Sequence, residues 1–149
     1  MKIVIQRVSN AEVKVEGEVV GSIGPGVVVF IGITHGDTMH QAIWLANKLI
    51  NLRIFEDNQG KINKSLFECN GQALVISQFT LYADCAGGRR PSFTQAAQPE
   101  LAEQLCKKFI EEVQKGGVKV QSGIFGADMK VSLLNDGPFT IILERSPGE

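Results

Sequence analysis

Val27-Val28-Val29-Phe30-Ile31-Gly32-Ile33 is a continuous apolar run dominated by β-branched residues. It shows no alternation, so a strand here must be covered on both faces. Gly24-Pro25-Gly26 breaks the chain firmly just before it. Ala73-Leu74-Val75-Ile76 reads as a second buried strand. Any fold for this chain has to place apolar material on either side of these two runs.

The rest of the sequence supplies that material. Lys2 to Val8 alternates, with Ile3 and Ile5 set against Val4 and Gln6, and Ala11 to Val15 alternates again. Glu16-Gly17-Glu18 turns the chain into Val19-Val20 as a hairpin would. After the loop His35-Gly36-Asp37-Thr38, either Asp37 or Thr38 can cap a helix. That helix carries Ile43, Ala46, Leu49 and Ile50 on one face, with Trp44 beside them. Leu52 to Phe55 reads as a short strand, Asp57 to Gly60 as a turn, and Lys61 to Phe67 is ambiguous. Asn70-Gly71 turns into the strand that ends near Ser77, and Ala86 to Phe93 is loop. Pro99 suits the first position of a second helix with a core stripe of Leu101, Leu105, Phe109 and Val113, flanked by Cys106 and Ile110. Gly116-Gly117 stops it, and Val118 to Val120, Met129 to Leu134 and Ile141 to Leu143 complete the strands. The pattern is α+β. No repeat or linker divides the 149 residues, which suffice for one domain spanning 1–149.

A formal net charge of −1 gives no global field toward nucleic acid or anionic lipid, so a nucleic-acid partner must be held by a local patch or a specific end. Cys69, Cys85 and Cys106 are odd in number and lack CxxC spacing, which favours a reducing compartment without disulfides. With no signal-peptide layout and no membrane-length apolar run, the expected location is cytoplasmic. His35 and His40 lie near no other candidate ligand, so no metal site is expected. There is no GxSxG elbow and no phosphate or dinucleotide fingerprint, and Cys85 has no basic partner in sequence.

Two stretches remain. Ser77-Gln78-Phe79-Thr80-Leu81-Tyr82 follows the buried strand, and alternation would put Ser77, Phe79 and Leu81 on one face and Gln78, Thr80 and Tyr82 on the other. Both faces are then partly polar, as in a strand end that lines a cleft or an edge strand with a wet side. Asn135-Asp136-Gly137-Pro138-Phe139-Thr140 interrupts a strand-like run. Glycine permits unusual backbone angles there and proline donates no ladder bond. A tight hairpin turn and a cis Gly-Pro bond both satisfy that pattern.

Taken together, these two stretches resemble the D-aminoacyl-tRNA deacylase family. Ile5-Gln6-Arg7-Val8, Arg53-Ile54-Phe55, Arg90-Pro91-Ser92-Phe93 and Ala127-Asp128-Met129 follow the family's order, so the resemblance covers the whole chain. Two residues depart from it: Phe139 stands where valine is common, and Tyr82 where alanine is frequent. Either could reshape a pocket wall, and neither removes a motif residue.

The resemblance implies one domain with a mostly antiparallel or mixed, barrel-like sheet and two amphipathic helices packed outside. It implies a homodimeric hydrolase that needs no cofactor and meets the 3′ end of aminoacyl-tRNA, not a membrane. It would cleave the ester of a D-amino acid, or of glycine, and reject L-substrates through a Gly137-Pro138 turn with a cis bond that enters the partner's pocket. Ser77, Gln78, Phe79 and Thr80 would be the catalytic stretch, with amides around Phe79 and Thr80 stabilising the oxyanion. Thr80 is a nucleophile by residue type, but no neighbouring base is evident. A second mechanism leaves Thr80 to position the substrate while the vicinal ribose hydroxyl assists and Gln78 orients the ribose or a water. Arg7 and Asn135 would support the turn, Arg7 by bonding its carbonyls unless it is a solvated strand residue. Met129 would pack as a wall. Arg89 and Arg90, and less specifically Lys107, Lys108 and Lys115, would meet phosphates. Two rival readings are a glycine-preferring paralogue with relaxed chirality and a non-catalytic nucleic-acid-binding dimer on the same scaffold.

Overall fold

A computed structural model describes all residues, 1–149. Eight strands and two helices run in the order β1 (Lys2–Val15), β2 (Glu18–Ile23), β3 (Gly26–Gly32), α1 (Met39–Asn51), β4 (Arg53–Glu56), β5 (Ile62–Ser65), β6 (Gln72–Ser77), α2 (Pro99–Lys115), β7 (Lys119–Ser122) and β8 (Lys130–Glu144). The main sheet is ordered β2-β1-β3-β6-β7, with β8 on the other side of β1. β1 is antiparallel to β2, β3 and β8, whereas β3, β6 and β7 are parallel. The result is the mixed, nearly closed barrel-like sheet expected from the resemblance. β4 and β5 form a separate hairpin, which resolves the ambiguous stretch as a strand.

The unbroken apolar run does what its pattern requires. Val27, Val29 and Ile31 face a large core shared with both helices: Leu45 and Leu49 of α1, and Leu105, Phe109 and Val113 of α2. Val28 faces a smaller core with Val8, Val13, Ile23, Leu74 and Ile76. β1 joins the two layers, with Ile3 and Ile5 in the first and Val8, Ala11 and Val13 in the second. It changes face where its pairing with β8 slips, between Val8 and Asn10.

Of the two candidate caps for α1, Thr38 is the one used, in a capping box with Gln41. Asp37 instead is buried and accepts hydrogen bonds from the Met1 ammonium at 2.7 Å and the Thr34 amide at 2.8 Å. Two expectations need correction. β6 ends at Ser77, and Phe79–Tyr82 is a single 3-10 turn, so the predicted alternation beyond Ser77 does not occur. The last two predicted strands are one strand, β8, so Gly137-Pro138 is not a hairpin turn.

Close approach of parallel β3 and β6 depends on Gly26. A Cβ there would lie 1.9 Å from the carbonyl oxygen of Gln72 and 2.6 Å from its nitrogen, both backbone atoms that cannot swing aside. Gly26→Ala should therefore cost about 3 kcal/mol of unfolding free energy, read from urea denaturation.

Candidate functional site

The carboxyl ends of β3 and β6 open into a cavity of about 600 Å³. Ile31 and Ile33 come from the β3 end, Ile76 and Ser77 from β6, and Gln78 and Phe79 from the chain just beyond. Ala97 to Pro99 and Ala102 bring in the start of α2, and Phe125 to Met129 close the opposite wall. Met129 is among the lining residues. The rings of Phe79 and Phe93 meet edge to face at 5.1 Å on its lining. Asp128 is the sole ionisable residue lining the cavity, and Lys130 holds both its oxygens, at 3.1 and 3.2 Å.

The 3-10 turn decides what Ser77 to Thr80 can offer. Its first internal bond runs from the Leu81 amide to the Gln78 carbonyl. The amides of Phe79 and Thr80 come before that bond, and no side chain caps the turn. They are the free donors that any helix start leaves. Gln78 Nε2 donates to Thr80 Oγ1 at 2.5 Å, so these two side chains are coupled. No histidine, carboxylate or lysine bonds the Thr80 hydroxyl.

Tyr82 does not act as predicted. It lines neither cavity described here and folds back beneath the turn, near Gly32, with Lys2 Nζ 4.9 Å from its ring centre. Its hydroxyl is buried without a partner, and burial, aided by Asp37 and Glu144, pushes its pKa up. Phe139 likewise lines neither cavity of its own chain.

A second constellation is built on β1 and β8. Gln6 pairs with Thr140 and Val8 with Asn135. One residue of β1, Arg7, therefore faces four of β8: Asp136, Gly137, Pro138 and Phe139. These four loop outward, with a cis bond between Gly137 and Pro138. Asn135 ties off the base of the loop. Its amide nitrogen donates to Phe139 O at 3.0 Å and to Arg7 O at 2.8 Å, and its oxygen accepts from Phe139 N at 3.2 Å. Arg7 is no solvated strand residue, being only 9% exposed. Its Nε donates to Asp136 O at 3.0 Å, its Nη1 donates to Ile54 O at 2.7 Å, and its Cζ stands 4.5 Å from the Phe139 ring centre. Gly137 and Pro138 are exposed and lie outside the cavity of their own chain.

Arg89 and Arg90 sit on an exposed loop. Lys108 and Lys115 are both engaged by Glu112, at 2.6 and 3.2 Å, while Lys107 has no such pair and lines a smaller cavity of about 190 Å³. Sequence reasoning missed Phe125 and the Gly123 to Gly126 segment, which carries no period and no motif. His35 bonds the Thr94 carbonyl, and no group of His, Cys, Asp or Glu is arranged for a metal.

The site is an apolar cavity at strand ends, beside a 3-10 turn whose first amides are left free. Comparison with known proteins shows the family. The model of the D-Tyr-tRNA(Tyr) deacylase family matches residues 4–144, and the chain belongs to that family. It is 57% identical over 147 residues to a D-aminoacyl-tRNA deacylase of Geobacter sp., covering 99% of each chain. It is 54% identical over 144 residues to another from Bacillus cytotoxicus, covering 97% of this chain and 99% of the other. Among solved structures it is similar to the c-Myc DNA Unwinding Element Binding Protein, with TM-score 0.91 and 40% identity over 98% of this chain and 99% of that one. A probable eukaryotic D-amino acid tRNA deacylase shares the fold, with TM-score 0.83 at 21% identity over 95% and 97% of the chains. The chain is accordingly an enzyme of the carboxylic ester hydrolase class.

The guanidinium of Arg7 gives the first site prediction. Arg7→Lys presents one ammonium where two carbonyls need separate donors. It should lower unfolding free energy by about 2 kcal/mol in urea denaturation.

Proposed function

We propose that the chain hydrolyses the ester joining a D-amino acid, or glycine, to the terminal ribose of tRNA, and rejects L-substrates by the shape of a turn supplied by a second copy. The observation that carries this reading is the pairing of two incomplete parts. One is a cavity lined by Phe79, with the free amides of Phe79 and its exposed neighbour Thr80 at its edge and no side-chain selector; the other is an exposed, braced turn that has no cavity of its own. β8 pairs with β1 alone, so its outer edge is free along the strand. Leu134 and Ile142 on β8 are 58% and 65% exposed. A copy joined along this face would bring Gly137 and Pro138 to the partner's cavity. Backbone atoms there would hold the substrate's amino group and fill the space of an L Cβ without gripping the side chain. Glycine has no Cβ to exclude and would pass.

In hydrolysis the Phe79 and Thr80 amides would receive the developing oxyanion. Thr80, coupled to Gln78 and without a base, would position the substrate, and the ribose 2′-hydroxyl would assist. Arg7 and Asn135 would hold the turn, and Arg89 and Arg90 would meet tRNA phosphates without reading sequence. The enzyme would act in the cytoplasm. Deacylation rates on D-Tyr-, L-Tyr- and Gly-tRNA test the reading: D and Gly should be hydrolysed and L spared. Fastest hydrolysis of Gly-tRNA, with L-Tyr-tRNA also cleaved, would favour the glycine-preferring reading with relaxed chirality, and none at all the binding module. Sedimentation at micromolar concentration should give a dimer.

Two variants probe the roles. A Cβ at Gly137 would fall 2.6 Å from Phe139 N, at φ +154°, so Gly137→Ala must displace the turn. Its D-substrate turnover should fall about a hundredfold. Thr80→Val should retain measurable turnover, whereas a substrate with a 2′-deoxy terminal ribose should lose about a hundredfold or more. An acyl-enzyme trapped on Thr80 would reverse that assignment.

A further inference from the structure

The smaller cavity shares two walls, Ser77 and Phe125, with the larger one. The two cavities therefore lie side by side, separated by these shared walls. The remaining walls of the second are Val75, Ser122 and Gly123 on one side and Glu103, Cys106, Lys107 and Ile110 of α2 on the other. Cys106 is a neutral wall, its thiol pushed up to about 11 by burial and by Glu103. Two charged groups border the compartment, a cation and an anion one helical turn apart, and neither is used elsewhere. Lys108 and Lys115 both pair with Glu112, but Lys107 and Glu103 form no ion pair despite their i,i+4 spacing.

We propose that this compartment is the subsite for the penultimate nucleotide of the acceptor end, with Lys107 on its phosphate and Glu103 accepting from the exocyclic amine of a cytosine. The inference rests on the reading of the chain as a deacylase of aminoacyl-tRNA. With the ester at Ser77 to Thr80, the terminal adenosine occupies the large cavity. The strand must then leave past the shared Ser77–Phe125 wall, and its next phosphate reaches the free lysine. At about 190 Å³ the compartment has room for one pyrimidine beside the Phe125 ring. A carboxylate among its walls suits cytosine, whose N4 amine donates, and opposes uracil, whose O4 only accepts. Acceptor ends of tRNA terminate in C-C-A, so a cytosine is always the base presented.

The test uses three small esters: D-tyrosyl-adenosine, and the same adenosine extended on its 5′ side by cytidine or by uridine. The readout is the ratio of kcat/KM for each extended ester to that for the bare adenosine, which a general loss of activity does not move. For the wild type the cytidine ratio should be about ten and the uridine ratio several-fold lower. Lys107→Ala should bring the cytidine ratio close to one, and Glu103→Gln should erase the preference for cytidine over uridine. A wild-type cytidine ratio near one, a ratio that survives Lys107→Ala, or a cytidine preference that survives Glu103→Gln overturns the subsite while leaving the deacylase reading intact. A wild type inactive on all three esters and on charged tRNA overturns both.

Discussion

One buried cation organises the second half of the site. Arg7 sits on a strand whose neighbours Ile3 and Ile5 are core residues, and its charge is taken out of water without a close carboxylate. Asp136 approaches only to 3.8 Å and its side chain is mostly exposed. Two carbonyls and one aromatic face do the solvating instead. A buried charge that lost them would be strongly destabilising, so the carbonyls must stay where the guanidinium needs them. This ties three otherwise separate parts: the first strand, the small β4–β5 hairpin, and the loop that leaves β8.

The other half of the site rests on the end of a strand. β6 is paired with parallel β7 as far as Val75 and with parallel β3 as far as Ser77, and the 3-10 turn then leaves two amides without intrahelical partners. Main-chain donors of this kind, proposed here to receive the oxyanion, are fixed by the end of the sheet, not by side-chain rotamers. That agrees with a cavity whose walls are mainly apolar and whose one carboxylate is paired with Lys130 at the surface.

Much of this was legible in the chain. The run at Val27 predicted two-sided cover, and the helices supply it because their apolar positions recur with helical period. Thr38 and Pro99 mark helix starts by local chemistry. Arg7 was legible as a partner of the turn only through the resemblance, since an arginine in an alternating strand carries no sign of burial. The 3-10 turn at Phe79 was hidden because its residues also fit a strand. The place of Tyr82 was not legible because a ring next to a motif can turn either toward the cavity or beneath the turn, and only packing against Gly32 decides. Phe125 gave no signal because its segment has no period. The unity of β8 was hidden by Gly137-Pro138, which looks like a stop in sequence but is an excursion opposite a single residue.

That excursion has a consequence for solubility. A free strand edge 15 residues long, bearing exposed Leu134 and Ile142, is a template on which a foreign strand could zip. The loop stands out in the middle of it. It divides the edge into two shorter tracts, Lys130 to Asn135 and Thr140 to Glu144, so that a straight strand cannot pair along the whole edge. Only a surface with a hollow to receive the protrusion can lie flat against both tracts at once. The loop whose Gly137 and Pro138 are proposed to judge a substrate's handedness would thus also act as a steric key against indiscriminate aggregation.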